Sequence, residues 1–92
     1  MHNYEIKPSL QRILNKLSKK DSKTYNQIIN KIQEITGVEN VEHYKNLRYD
    51  LKDFKGVHIG HFVLVFKHDK NKNVVSFWDF DHHDKIYLKK YK

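Results

Sequence analysis

Leu10, Ile13, Leu14 and Leu17 fall at i, i+3, i+4 and i+7. That spacing lays one apolar stripe along a helix and predicts it over residues 8–19. Pro8 suits its first turn, where the missing N–H costs nothing. Asp21 can cap a second helix, on which Tyr25, Ile28, Ile29, Ile32 and Ile35 repeat the spacing, with Gly37 as a stop. Only Lys19-Lys20 joins the two, so they form an antiparallel hairpin. Ahead of them, Tyr4-Glu5-Ile6 reads as a short strand. After Gly37 the period changes. Residues 38–54 mix polar and apolar positions, an irregular connector with room for one turn of helix. Residues 56–68 are rich in Val, Ile and Phe and break at Gly60-His61, a two-residue turn with glycine first. The polar run 69–73 leads to a last strand over 74–80, where Trp78 and Phe80, at alternate positions, are expected in the core. The order is β-α-α-β-β-β. This is an α+β domain: an antiparallel sheet meander with a helical hairpin packed on one face and the other face open to a ligand.

A chain of 92 residues has room for one modest core, so residues 1–92 read as a single small domain. Its hydrophobic share of 38% is too high for a disordered tail. No run of 18 apolar residues offers a membrane span, and the opening Met-His-Asn-Tyr-Glu-Ile-Lys has no apolar leader core. With no cysteine, disulfides and thiolate zinc sites are excluded. A cytoplasmic protein is expected. The formal charge is +7, and both halves contribute: eight basic and five acidic groups in residues 1–46, ten and six in 47–92. Such a diffuse positive field suits a nucleic acid or an acidic protein, and it also keeps a surface soluble.

Six of the seven histidines fall between His43 and His83. Histidine is the residue type that exchanges a proton near neutral pH, so a basic chain that gathers it has the parts for acid–base chemistry on a polyanion. His58 and His61 lie in the predicted hairpin and its turn, and His83 lies just past the last strand. His43, in the connector, could close the ring. Arg48, Lys52, Lys55 and Lys85 surround these positions and could hold phosphates. Metal-independent RNA cleavage needs a base for the ribose 2′-hydroxyl, an acid for the departing 5′ oxygen and cations for the phosphoryl charge. Phe62 and Tyr87 could stack on bases. His2 and His68 read more simply as surface residues, and His82-His83 as a solvated turn. His58, His61, Asp79, Asp81 and His83 could instead ligate a metal, although no spacing matches a known zinc motif. No metal or other cofactor is therefore expected.

The order of elements, with Gly56-Val57-His58-Ile59-Gly60-His61-Phe62-Val63-Leu64-Val65-Phe66 and Asp81-His82-His83-Asp84-Lys85-Ile86-Tyr87, resembles the RelE/ParE toxin superfamily, specifically its YafQ-like mRNA interferase branch. The resemblance spans nearly the whole chain and implies a RelE-like fold. It implies a type II toxin that cleaves mRNA in the ribosomal A site, inhibits translation and is silenced by an acidic antitoxin. It also assigns His43 and His58 to active-site histidines, His83 to the general acid, Phe62 to a tryptophan and Tyr87 to a C-terminal aromatic. His61 stands where the family has an aspartate, a general base. Val63 replaces an arginine, which passes phosphate stabilisation to Lys52, Lys55 or Arg48. Two other functions remain open: a ParE-like, non-enzymatic toxin binding a protein such as DNA gyrase, and an RNA-binding module that does not cleave.

Overall fold

The computed structural model describes residues 2–91, and both apolar stripes form the helices they predict. Strand β1 is Asn3–Ile6, followed by helices α1 (Pro8–Lys20) and α2 (Ser22–Gly37). Strands β2 (Lys55–Ile59), β3 (Phe62–Asp69) and β4 (Val74–His82) come next, and a one-turn helix, α3, spans His83–Ile86. The joint between α1 and α2 is Asp21 alone. Its N–H donates to the Leu17 carbonyl at 2.8 Å, while its carboxylate accepts the Thr24 hydroxyl at 2.6 Å and the Thr24 N–H at 3.1 Å. One residue thus ends one helix and caps the next, which places the turn just past the expected Lys19-Lys20. The two Thr24 hydrogen bonds hold the Asp21 carboxyl below its ordinary range.

The sheet order is β1-β4-β3-β2. Strands β2, β3 and β4 form the expected antiparallel meander, but β1 lies parallel to β4, from Asn3 opposite Val74 to Ile6 opposite Phe77. The sheet is therefore mixed, not antiparallel throughout. The meander leaves the outer edge of β4 unpaired, and β1 satisfies those backbone groups.

On one face, Leu10, Leu14, Ile28, Ile32 and Ile35 of the helices pack against Leu64, Phe66, Val75, Phe77 and Phe80 of the sheet. A bulge sets which residues point there. Val65 pairs with Asp79 and Phe66 with Phe77, which leaves Trp78 without an opposite number. An extra residue reverses the alternation of a strand. Phe77 and Phe80 consequently share the helix-side core, while Trp78 joins the opposite side with Leu47 and Tyr91. The expectation that Trp78 and Phe80 share one face is corrected by that bulge.

The second face is not left open. Leu51, Phe54, Val63, Val65 and Ile86 form a second buried cluster there, covered by the connector and the segment after α3. The connector contains two short 3-10 turns, Val41–His43 and Tyr49–Leu51. Gly56 lets it come close: a Cβ there would lie 2.7 Å from a Leu47 side-chain atom and 2.9 Å from one of Val63. Asp79, only 4% exposed, anchors the C-terminal segment. It accepts hydrogen bonds from Lys89 Nζ at 2.7 Å and from the Tyr91 hydroxyl at 2.8 Å. Lys89 also pairs with Asp81 at 2.7 Å. Burial pushes the Tyr91 hydroxyl well above its ordinary range, and Asp79 adds to the effect. For Asp81, burial works upward, but the Lys89 hydrogen bond and the His82 N–H outweigh it and hold the carboxyl low. Lys89 is raised, because its two carboxylate partners outweigh its own burial. Among the described residues, no helix is long and apolar enough to cross a membrane.

Candidate active site

Where the connector, β2 and α3 meet, an open cleft of about 650 Å³ is lined by Arg48, Tyr49, His58, His83, Asp84 and Tyr87. His58 sits on β2 opposite Val63, a residue of the second cluster, so period-two alternation points it away from the helices and leaves it exposed. The Gly60-His61 turn follows, with Gly60 at φ +63°, a conformation glycine adopts without cost. His83 opens α3. Its N–H donates to the His61 carbonyl at 3.2 Å, which ties the start of the helix to the hairpin turn. Its Nδ1 lies 2.9 Å from Asp84 Oδ1. His82 caps α3 by accepting the Asp84 N–H at 3.2 Å. Across the cleft, the Arg48 N–H donates to the Tyr87 hydroxyl at 3.2 Å, and the Tyr49 ring meets Tyr87 edge to face at 5.9 Å. Proton carriers from two elements, a guanidinium and two aromatic rings thus share one solvent-open space.

Of the residues singled out in the sequence, the fold brings His58, His83, Arg48 and Tyr87 together in the cleft. The others lie elsewhere. The His61 ring stacks on His82 at 6.3 Å, outside the cleft lining. His43 packs on Tyr44 at 4.3 Å with its Nδ1 2.6 Å from the Asn40 carbonyl, so it does not close the ring of histidines. Lys55 is buried, its ammonium donating to the Tyr44 carbonyl at 2.9 Å and to Asn46 Oδ1 at 2.7 Å. Phe62 stacks on Phe80 at 5.1 Å, on the helix side of the sheet and opposite to His58. Lys52 and Lys85 are exposed neighbours of cleft residues in sequence but do not line it. His68 is no surface residue: its side chain is 9% exposed and pairs with Glu42 at 2.7 Å. That contact holds the Glu42 carboxyl below its ordinary range.

The metal set suggested by composition does not assemble, since Lys89 occupies Asp79 and Asp81. His82, His83 and Asp84 have ligand atoms within 4.8 Å of one another and could hold a divalent ion. Sequence reasoning passed over Tyr49. The available signal was an aromatic directly after Arg48.

The profile of the ParE toxin of type II toxin–antitoxin systems (parDE) matches residues 4–87. The chain belongs to the ParE toxin family. This toxin is also 57% identical over 91 residues to a Methanocaldococcus jannaschii protein provisionally named toxin RelE4, an alignment covering 98% of this chain and 95% of the relative. It is 43% identical over 88 residues to an uncharacterised Methanosarcina mazei protein, covering 95% and 100%. Among solved structures, it resembles the toxin–antitoxin complex RelBE2 of Mycobacterium tuberculosis with a TM-score of 0.65 at 17% identity, covering 89% of this chain and 98% of that one. A metal-bound toxin from Helicobacter pylori gives 0.65 at 23%, covering 94% and 99%. At such identities the likeness speaks for the fold, and it agrees with the α+β, RelE-like architecture described above. The toxin is therefore a member of the RelE/ParE superfamily of type II systems.

Proposed function

We propose that this toxin is a metal-independent endoribonuclease of the YafQ-like kind, cutting mRNA in the ribosomal A site and so stopping translation. The observation that carries the reading is that His58 of β2 and His83 of α3 line one open cleft with Arg48 and Tyr87. His58 takes the proton of a ribose 2′-hydroxyl, and that oxygen attacks the adjacent phosphorus. The bond from phosphorus to the 5′ oxygen breaks, and His83 protonates the leaving oxygen. The products are a 2′,3′-cyclic phosphate and a 5′-hydroxyl, with no water or metal consumed. Arg48 faces the phosphoryl charge, which a guanidinium matches with paired N–H donors. His61 acts through its carbonyl, by fixing His83. Lys52 and Lys85 meet the RNA backbone beyond the cleft. A cognate antitoxin binds and restrains this toxin; the RelBE2 structure it resembles is a toxin–antitoxin complex, and the charge of +7 favours an acidic segment.

The second reading is a ParE-like toxin that binds a protein such as DNA gyrase and cuts nothing; the family match is compatible with both. Induced expression separates the two. Wild type arrests growth with mRNA cut, and His58→Ala or His83→Ala lowers cleavage by roughly 10²–10⁴-fold and relieves the arrest. Folded variants that remain fully toxic would remove both histidines from the mechanism. DNA damage with intact mRNA would move the assignment to the second reading.

A further inference from the structure

Tyr49 is one wall of the cleft to which the proposed chemistry gives no role. Its backbone stands at φ +57°, in the left-handed region that a bulky side chain rarely adopts. Among the described residues, Asn73 is the other non-glycine residue at positive φ, and asparagine tolerates that conformation in turns. Strain of this kind persists where the surroundings over-determine it, and such residues cluster at functional sites. Here the surroundings do so from both sides. The Leu51 N–H donates to the Arg48 carbonyl at 3.1 Å and the Lys52 N–H to the Tyr49 carbonyl at 3.2 Å. Asn46 Nδ2 holds the Lys52 carbonyl at 2.9 Å, and Leu51 is buried in the second cluster.

The strained residue gains no burial in return. Tyr49 is 78% exposed, and Tyr87 is 42% exposed. Their rings meet at 81°, which makes a right-angled aromatic corner in the same cleft as His58 and His83. Arg48 precedes Tyr49 and lines the same cleft, and its backbone N–H donates to the Tyr87 hydroxyl. A flat, exposed ring beside a cation is the pairing that takes up an unstacked base with its phosphate.

We propose that Tyr49 and Tyr87 form a nucleobase-binding corner: the base next to the scissile bond stacks on Tyr49 against the edge of Tyr87, and Arg48 takes the phosphate. The inference rests on the endoribonuclease reading and adds the residue that seats the substrate. Stacking needs only a π-face, so the corner fixes position more than base identity.

The test uses a short RNA carrying 2′-O-methyl groups, which cannot be cut, with affinity read by fluorescence, beside cleavage of one mRNA in a cell-free translation reaction. Tyr49→Ala should weaken RNA binding on the order of 10–100-fold, while Tyr49→Phe stays within a few-fold of wild type. Tyr49→Gly separates the ring from the backbone. It should lose binding as Tyr49→Ala does, yet melt at or above the wild-type temperature, because glycine accepts the positive φ. A glycine variant that melts lower would show the ring holding the fold, and would overturn the proposal. Unchanged RNA affinity and mRNA cleavage in Tyr49→Ala would remove the corner and leave the endoribonuclease reading standing. Wild-type mRNA left whole, with Tyr49-dependent RNA binding retained, would do the reverse.

Discussion

Asp79 holds the C-terminal segment onto the sheet with one carboxylate. It is nearly inaccessible, and Lys89 and Tyr91 both donate to it. Removing it leaves the Tyr91 phenol without its acceptor and Lys89 with Asp81 alone, so Asp79→Ala should cost on the order of 2–3 kcal/mol in chemical denaturation. The cluster also sets a pH window. Lys89 and Tyr91 titrate above their ordinary values of 10.5 and 10.0, so their contribution is complete below about pH 10 and lost as the pH rises further. Asp81 titrates below 3.8, so its contribution holds above that pH and fades on acidification through its folded value. Denaturation curves across pH should thus show an alkaline loss that shrinks in Tyr91→Phe. Residue type alone offered Asp79 and Asp81 as metal ligands because their partner was not local. Lys89 and Tyr91 lie ten and twelve residues beyond Asp79, in a segment without periodicity.

Elements whose pattern is local were legible. The helical stripes and the Asp21 cap depend on residues three and four apart, and each formed as the spacing dictates. What depended on distant partners was not. Nothing in Tyr4-Glu5-Ile6 states that β1 would pair in parallel with β4, and nothing in the mixed sequence of β4 marks the bulge at Trp78. The covered second face arises because the connector crosses β2 at Gly56. A methyl group there would press on Leu47 and Val63. Gly56→Ala should therefore destabilise by about 1–3 kcal/mol, and it should weaken RNA cleavage more than stability alone explains, because the displaced connector carries Arg48. Melting temperature and cleavage rate on the same preparation check this. A variant that melts lower but cuts normally would separate the connector from the site.

Across the whole molecule, residue type showed which side chains could do chemistry but not which face they would occupy. His58 and Phe62 are four residues apart, yet the Gly60-His61 turn and the period of two put them on opposite sides of the sheet. Lys55 had the right charge and became a buried strut, and His43 settled beside Tyr44. The remaining set is small: His58, His83, Arg48, Tyr49 and Tyr87 on one cleft of a basic toxin. The central claim is that this set cuts RNA through the 2′-hydroxyl without a metal. Mass analysis of the RNA ends, after the toxin acts on mRNA in a cell-free translation reaction arrested after one cut, tests it most directly. Chelating loosely bound zinc with a reagent that spares ribosomal magnesium completes the design. The predicted result is fragments ending in 2′,3′-cyclic phosphate with 5′-hydroxyl partners, at an unchanged rate with the chelator. Ends bearing 3′-hydroxyl and 5′-phosphate, or cleavage abolished by the chelator, would contradict it.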